Sequence, residues 1–304
     1  MDAIEIDHLR KDYGARIGIE NVSFTVPAAT MFGFIGPNGA GKTTTIRILL
    51  GLLAPTSGAA RIFGVDVGSP RARTGVGYVA GEPQLYPRMR VGKLLAFLGR
   101  FHPGDHAARR RALADQFELD LDAPSAELSL GNRKKVAIAA ALQHAPRLVI
   151  LDEPTSGLDP IMRARLHDRL RAEVAGGTTV VVSSHVLADI QAVCERVAIV
   201  NHGRVVAIDD VRALRRRELR RVRAAFEDGR GGDILAGLTQ RLAGLQGFER
   251  CGNRIAFLYR GDMPTLLDAL AAAAPSDVQI EEASLEDVFL ADFATPKAVG
   301  HVAA

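Results

Sequence analysis

Nowhere in these 304 residues does an apolar run approach the roughly 18 positions that a membrane-spanning helix needs. The N-terminus, MDAIEIDHLRKDYG, carries acidic residues where a secretory leader would be basic and then apolar. These two absences predict a chain that stays in the cytoplasm and that, if it serves a membrane, borrows the span from a partner. Cysteine is scarce: Cys194 and Cys251 have neither metal-site nor redox-motif spacing, which predicts two reduced, structural thiols. A formal net charge of +3 is too small to argue for nucleic acid as a partner. Internal repeats and low-complexity segments are lacking as well. What is present is 47% hydrophobic and 24% charged residues, the balance of a soluble globular protein with a real core. The length suits one large domain with a smaller one beside it.

Residues 1 to 30 alternate apolar and polar, with Ile4, Ile6, Ile17, Ile19, Val22, Phe24 and Val26 on one period, as half-buried antiparallel strands do. From TMFGFIG the pattern changes to short apolar runs separated by helical segments: 31 to 35, LVILDEP at 148 to 154, and TTVVVSSH at 178 to 185. Such runs predict strands of a parallel sheet buried on both faces. Between about 84 and 145 lies a mostly helical insertion, and ERVAIVNHGRVVAID reads as a hairpin around His202-Gly203.

After Asp210 the composition shifts. VRALRRRELRRVRA, 211 to 224, carries seven arginines and reads as a solvated linker helix. A β-α-β-β-α-β order follows, its first strand RRVRAAFE overlapping the end of that helix, the split arrangement of ferredoxin-like domains; the small domain is placed over 225 to 294. Within it SLEDVFLADF reads as a helix with Ser284 and Asp287 as a capping pair. The tail, 295 to 304, is expected to be flexible.

GPNGAGKTT at 36 to 44 is a complete phosphate loop between a strand and a helix. Its glycines let backbone N–H groups wrap the β-phosphate, Lys42 reaches the β- and γ-oxygens, and Thr43 ligates Mg²⁺. A chance glycine turn fits this strand–loop–helix context poorly. Asp152, ending the strand LVILD, suits the carboxylate that holds Mg²⁺ through water, and Glu153 suits a general base. His185 ends the next buried run, where a structural histidine is the plain alternative; at the carboxyl edge of a sheet beside a nucleotide, a γ-phosphate sensor is the better reading. A second helix tip, Ser129-Leu130-Gly131-Asn132, also favours an anion, yet has no phosphate lysine of its own.

In order along the chain, Tyr13, the phosphate loop, LSLGN at 128 to 132, LVILDEP, SGLD at 156 to 159 and SSH at 183 to 185 resemble the ATP-binding cassette (ABC) family over residues 1 to about 210. The resemblance implies an α/β P-loop NTPase cassette, a mixed sheet with an antiparallel β subdomain and a helical insertion. The C-terminal piece, ending IEEASLEDVFL, resembles the extension of bacterial drug and antibiotic exporter ATPases. By that resemblance Tyr13 stacks on adenine, Gly36, Pro37, Asn38, Gly39, Ala40, Gly41, Lys42, Thr43 and Thr44 hold the phosphates, and Mg²⁺ accompanies the ATP. Asp159 lies in the loop crossing between subunits and His185 contacts the γ-phosphate. The LSLGN element, family form LSGGQ, would serve the ATP of a second subunit through Ser129, Gly131 and Asn132, so the implied partners are a second copy or related cassette and a membrane permease. The implied place is the inner face of the cell membrane. The family's glutamine after the strand, which senses Mg²⁺ and couples to the permease, is replaced by Gly81, with Glu82 and Gln84 nearby. Leu85-Tyr86-Pro87 stands where a permease loop is received, or else packs in the core. The rival class, a soluble ABC protein acting on ribosomes or DNA, usually has two cassettes or a long coiled coil, and this chain has neither. By the same resemblance the transported cargo is chosen by the permease and not by this chain.

Overall fold

The computed structural model describes residues 1–14, 17–211, 219–227 and 237–283. The chain divides into two compact units, Met1–Val211 and Arg212–Ala304.

In the first unit the alternating N-terminal residues form β1 (Asp2–Asp12) and β2 (Ile17–Pro27), an antiparallel pair. The apolar run at 31 becomes β3 (Met31–Ile35), buried at every position. It is followed by α1 (Lys42–Leu49), β4 (Ser57–Ile62), β5 (Val65–Asp66) and β6 (Val76–Val79). The helical insertion contains α2 (Val91–Gly99), α3 (Ala107–Gln116) and α4 (Leu130–Leu142). Then come β7 (Leu148–Asp152), α5 (Pro160–Ala175), β8 (Thr179–Ser184), α6 (Leu187–Val193), β9 (Arg196–Asn201) and β10 (Arg204–Asp210). The sheet order is β5-β4-β1-β2-β10-β9-β3-β8-β7-β6.

Strands β9, β3, β8, β7 and β6 are parallel, and β3, β7 and β8 are buried at every position, which accounts for their unbroken apolar runs. The register pairs Ile35 with Ser184 and Asp152 with Ser183, so three strands end level with one another. Phe24 stacks on Phe32, ring centroids 5.6 Å apart, and meets Phe34 at a tilt, centroids 5.3 Å apart. The hairpin turn between β9 and β10 puts both His202 and Gly203 at positive φ, as a tight turn of this hand requires. The buried carboxylate Glu173 of α5 pairs with Arg169 of its own helix and with Arg109 of α3, fastening the insertion to the body.

The second unit has an antiparallel sheet of β11 (Leu219–Ala225), β12 (Leu245–Cys251), β13 (Arg254–Arg260) and β14 (Asp277–Glu282), in the order β12-β13-β11-β14. Helix α7 (Met263–Ala273) precedes β14 and packs Leu266, Ala269 and Leu270 against Val222, Ala224 and Phe257. One expectation is corrected here. The linker helix over 211 to 224 does not run to its end, because Leu219 onward is strand β11, and the small unit therefore begins before residue 225. The reason is a period of two: Val222, Ala224 and Phe226 are buried, whereas Arg221 and Arg223 alternate with them. Of the two readings that overlap at 220 to 224, linker helix and first strand RRVRAAFE, the strand is the one that forms. The helix expected around Ser284 and Asp287 and the tail from 295 lie outside the described residues, as does the start of the one expected over 233 to 245. Both thiols are free, Cys194 buried and Cys251 exposed, and burial pushes the Cys194 thiol far up. Among the described residues no helix is long and apolar enough to cross a membrane.

Candidate functional site

The level strand ends create the site. From β3 the chain enters the phosphate loop, from β7 it delivers Asp152 and Glu153, and from β8 it delivers His185. A cavity of about 400 Å³ lies there, lined by Tyr13, Pro37, Asn38, Gly39, Ala40, Gly41, Lys42, Thr43, Thr44 and Glu153, together with Gly18. Gly39 and Gly41 adopt positive φ, 80° and 105°, which turns the loop so that α1 begins with its free N–H groups at the cavity.

Lys42 is nearly buried. Its Nζ donates to the Gly36 carbonyl at 2.7 Å and to the Pro37 carbonyl at 3.3 Å, and lies 3.4 Å from Glu153 Oε1. Thr43 Oγ1 donates to Asp152 Oδ2 at 2.9 Å, and Ser183 Oγ donates to Asp152 Oδ1 at 2.5 Å. With both oxygens held and only 4% of the residue exposed, Asp152 is a fixed carboxylate. His185 Nδ1 lies 2.8 Å from Glu153 Oε2. Tyr13 stands on the lip, half-exposed, with Lys11 Nζ 5.5 Å from its ring centroid. A Cβ on Gly18 would meet that ring at 2.5 Å, so only glycine leaves the tyrosine its place.

The structure thus brings Tyr13, residues 36 to 44, Asp152, Glu153 and His185 together. It does not bring the second helix tip to them. Ser129 is the N-cap of α4, its hydroxyl accepting from the Asn132 amide at 3.2 Å, and neither it, Gly131 nor Asn132 lines the cavity. That tip adjoins the SGLD loop instead: a Cβ on Gly131 would lie 2.6 Å from the Gly157 carbonyl oxygen. Asp159 caps α5, accepting from the Met162 amide at 2.9 Å, and this bond holds its carboxyl below the usual range. Gly81 sits within reach of the acidic pair, where a Cβ would lie 3.6 Å from the Asp152 carbonyl oxygen. Glu82 and Gln84 are exposed, and Tyr86 is 57% exposed with its ring edge-on to Phe97, so it is not a core residue.

Three residues that matter were not singled out from the sequence: Gly18, Ser183 and Lys134. Lys134 has no exposed surface, and its Nζ donates to the Glu153 carbonyl at 2.6 Å. Burial holds its ammonium below the usual lysine range, while the charges of Glu153, Asp152 and Glu82 oppose that shift. Ser183 lay inside a quoted motif without a role; Lys134 lay in a basic triplet, RKK, that looks like any solvated charge run.

The family model for ABC transporters matches residues 19–156. The chain is 36% identical over 298 residues to Nod factor export ATP-binding protein I of Paraburkholderia xenovorans, covering 95% of this chain and 96% of that protein. It is 37% identical over 224 residues to the probable multidrug ABC transporter ATP-binding protein YbhF of Escherichia coli, covering 69% of this chain and 38% of that one. A solved ATP-binding subunit of an ABC transporter superposes with a TM-score of 0.67 at 32% identity, over 70% of this chain and 92% of the other. A phosphate loop, an acidic pair and a histidine converging on one sheet edge agree with these likenesses: the chain belongs to the ATP-binding cassette family, as an ATP-binding subunit of the ABC transporter type.

Proposed function

We propose that this chain hydrolyses ATP with Mg²⁺ and that hydrolysis drives a separate membrane permease of an export system. The observation that carries this reading is the Glu153 carboxylate at the cavity wall, one oxygen 3.4 Å from Lys42 and the other 2.8 Å from His185. An ionised carboxylate only accepts, so His185 Nδ1 carries a proton and donates it to the bond with Glu153. With the γ-phosphate against Lys42 and the loop amides, Glu153 orients the attacking water and takes its proton. The water oxygen bonds to the γ-phosphorus, the bond from that phosphorus to the ADP oxygen breaks, and ADP and inorganic phosphate leave. Tyr13 offers its ring face to adenine.

Thr43 and Asp152 present a hydroxyl and a carboxylate 2.9 Å apart, the hard oxygen donors that suit Mg²⁺. When bound, the ion neutralises charge on the β- and γ-oxygens.

The exposed tip at Ser129 and Asn132, away from its own chain's cavity, supports use on the nucleotide of a second copy or a related cassette. Two such chains would sandwich two ATP molecules, with Asp159 in the loop that crosses between them. Export follows from the names of the relatives, one of Nod factor export and one of a multidrug transporter. Exposed Tyr86 supports a permease loop docking there, and with it a chain working at the inner face of the membrane. The strand order of the small unit supports a ferredoxin-like reading.

The test is Glu153→Gln. ATP affinity should stay within about threefold while phosphate release falls on the order of 10²-fold or more, and ATP should now hold a dimer visible by size exclusion. Turnover near that of the parent would remove Glu153 as base.

A further inference from the structure

We infer that Lys134 is a positioning residue that couples the signature helix α4 to the catalytic carboxylate of its own chain, through the main chain of Glu153. The inference rests on the roles given above to Glu153 and Ser129.

A lysine with no exposed surface is costly to bury and persists only where its ammonium is engaged. Lys134 Nζ is engaged by one backbone atom, the Glu153 carbonyl oxygen, at 2.6 Å. On the other side of the same residue, the Glu153 amide donates to the Ser183 carbonyl at 3.2 Å and to Ser183 Oγ at 3.1 Å. Both peptide groups of Glu153 are therefore pinned, the amide by β8 and the carbonyl by Lys134 of α4, with the Ser156 amide a longer second donor to that carbonyl at 3.3 Å. The pinning has a purpose that the backbone itself shows. Glu153 sits at φ 48°, a left-handed conformation that a residue with a side chain adopts only when its surroundings hold it there. That turn, immediately after the strand end at Asp152, accompanies the reach of its carboxylate to Lys42 and His185.

The other end of the connection is the N-cap of α4. Ser129 and Lys134 belong to one helical segment, so a shift of the tip on meeting a partner's nucleotide displaces Nζ and, with it, the Glu153 carbonyl. Each site would then become competent only when its own chain's signature tip has engaged the opposite ATP. Closure on one side thereby prepares hydrolysis on the other.

The experiment uses the full-length chain. Lys134→Met, similar in length and without a donor, should lower kcat at saturating ATP at least tenfold while the ATP dissociation constant, measured with a fluorescent ATP analogue, stays within threefold. Lys134→Arg, which keeps donor and charge, should recover at least threefold over the methionine variant. If melting curves show that Lys134→Met is unfolded, Lys134→Leu, which also lacks a donor, replaces it with the same expectations. A Ser129→Ala, Lys134→Met double variant should lose no more turnover than the worse single variant, because both act through one connection. A kcat within threefold of the parent overturns the inference, as does a parallel loss of ATP affinity, which would mark a merely structural lysine. Multiplicative losses in the double variant overturn the coupling to α4. Retained turnover in Glu153→Gln would remove the reading beneath the inference, whereas a parent-like Lys134→Met beside an inactive Glu153→Gln removes the inference alone.

Discussion

His185 Nδ1 and Glu153 Oε2 lie 2.8 Å apart although 32 residues of chain separate them. The bond exists because β7 and β8 are adjacent parallel strands in register, so that the residues beyond their carboxyl ends meet. Replacing His185 with Ala removes the donor and leaves Lys42 as the remaining partner of the carboxylate. Turnover is expected to fall roughly 10²-fold with ATP affinity changed by less than threefold, since the phosphate loop is untouched. Phosphate release together with equilibrium binding checks this; equal losses in both would mean the histidine serves binding and not the chemical step.

The exposed signature tip leads to a prediction in trans. In a Glu153→Gln background, Lys42→Ala and Ser129→Arg should each prevent ATP-dependent dimerisation when alone, the first by removing the phosphate's counter-charge and the second by bulk at the helix tip. Mixing the two variants gathers both defects into one site and leaves the other whole, so dimer should return. Mixing a chain that carries both changes with unaltered Glu153→Gln chains puts a defect in each site, and should not restore it. A tag on one partner isolates the mixed dimers. Recovery only in the second mixture would show that Ser129 serves its own chain's ATP.

At Gly81, where the family usually carries glutamine, there is room for a Cβ. An added Cβ lies 3.6 Å from the Asp152 carbonyl oxygen and 4.0 Å from Asp152 Oδ2, ordinary contact distances. Gly81→Gln should therefore fold, with a melting temperature close to the parent's. Permease-stimulated hydrolysis should change several-fold and basal hydrolysis less than twofold. Equal changes in both rates would place Gly81 away from the coupling point.

A pH prediction comes from His144, which stacks on His102 with ring centroids 3.5 Å apart. Burial, then the nearby charges of His102, His106 and Arg109, depress its pKa from 6.5 to about 4. A neutral ring is thus favoured in the folded chain. Below pH 6.5 the unfolded chain takes up the proton first, so stability falls as pH drops from 6.5 towards 4. The loss should approach roughly 1 kcal/mol by pH 5, less than full burial would give because the ring is only half-buried. Melting curves at pH 7.5 and 5 should show a smaller drop for His144→Phe, which keeps a stacking ring without a titrating nitrogen. An unchanged drop would assign the pH sensitivity to other groups.

What could be read along the chain was whatever is built from neighbours in sequence. The phosphate loop is one contiguous segment, 36 to 44, and its glycines, Lys42 and Thr43 need only the strand before them and the helix after them. Apolar alternation and apolar runs likewise told the half-buried β1 and β2 from the fully buried β3, β7 and β8, because the number of covered faces is written into the period. The tertiary structure decided the rest. Which carboxylate oxygen faces Lys42 and which faces His185 depends on register between strands that are distant in sequence. Arg133, Lys134 and Lys135 are alike as letters, yet only Lys134 is fully buried, and its partner is a backbone carbonyl, a group every residue has and no side-chain pattern reveals. In the same way the sequence offers both a basic helix end and a strand, RRVRAAFE, at 220 to 224, and pairing with β13 and β14, chain that comes later, decides for the strand. Local propensity is read from adjacent residues, whereas burial and register are properties of the whole packed sheet.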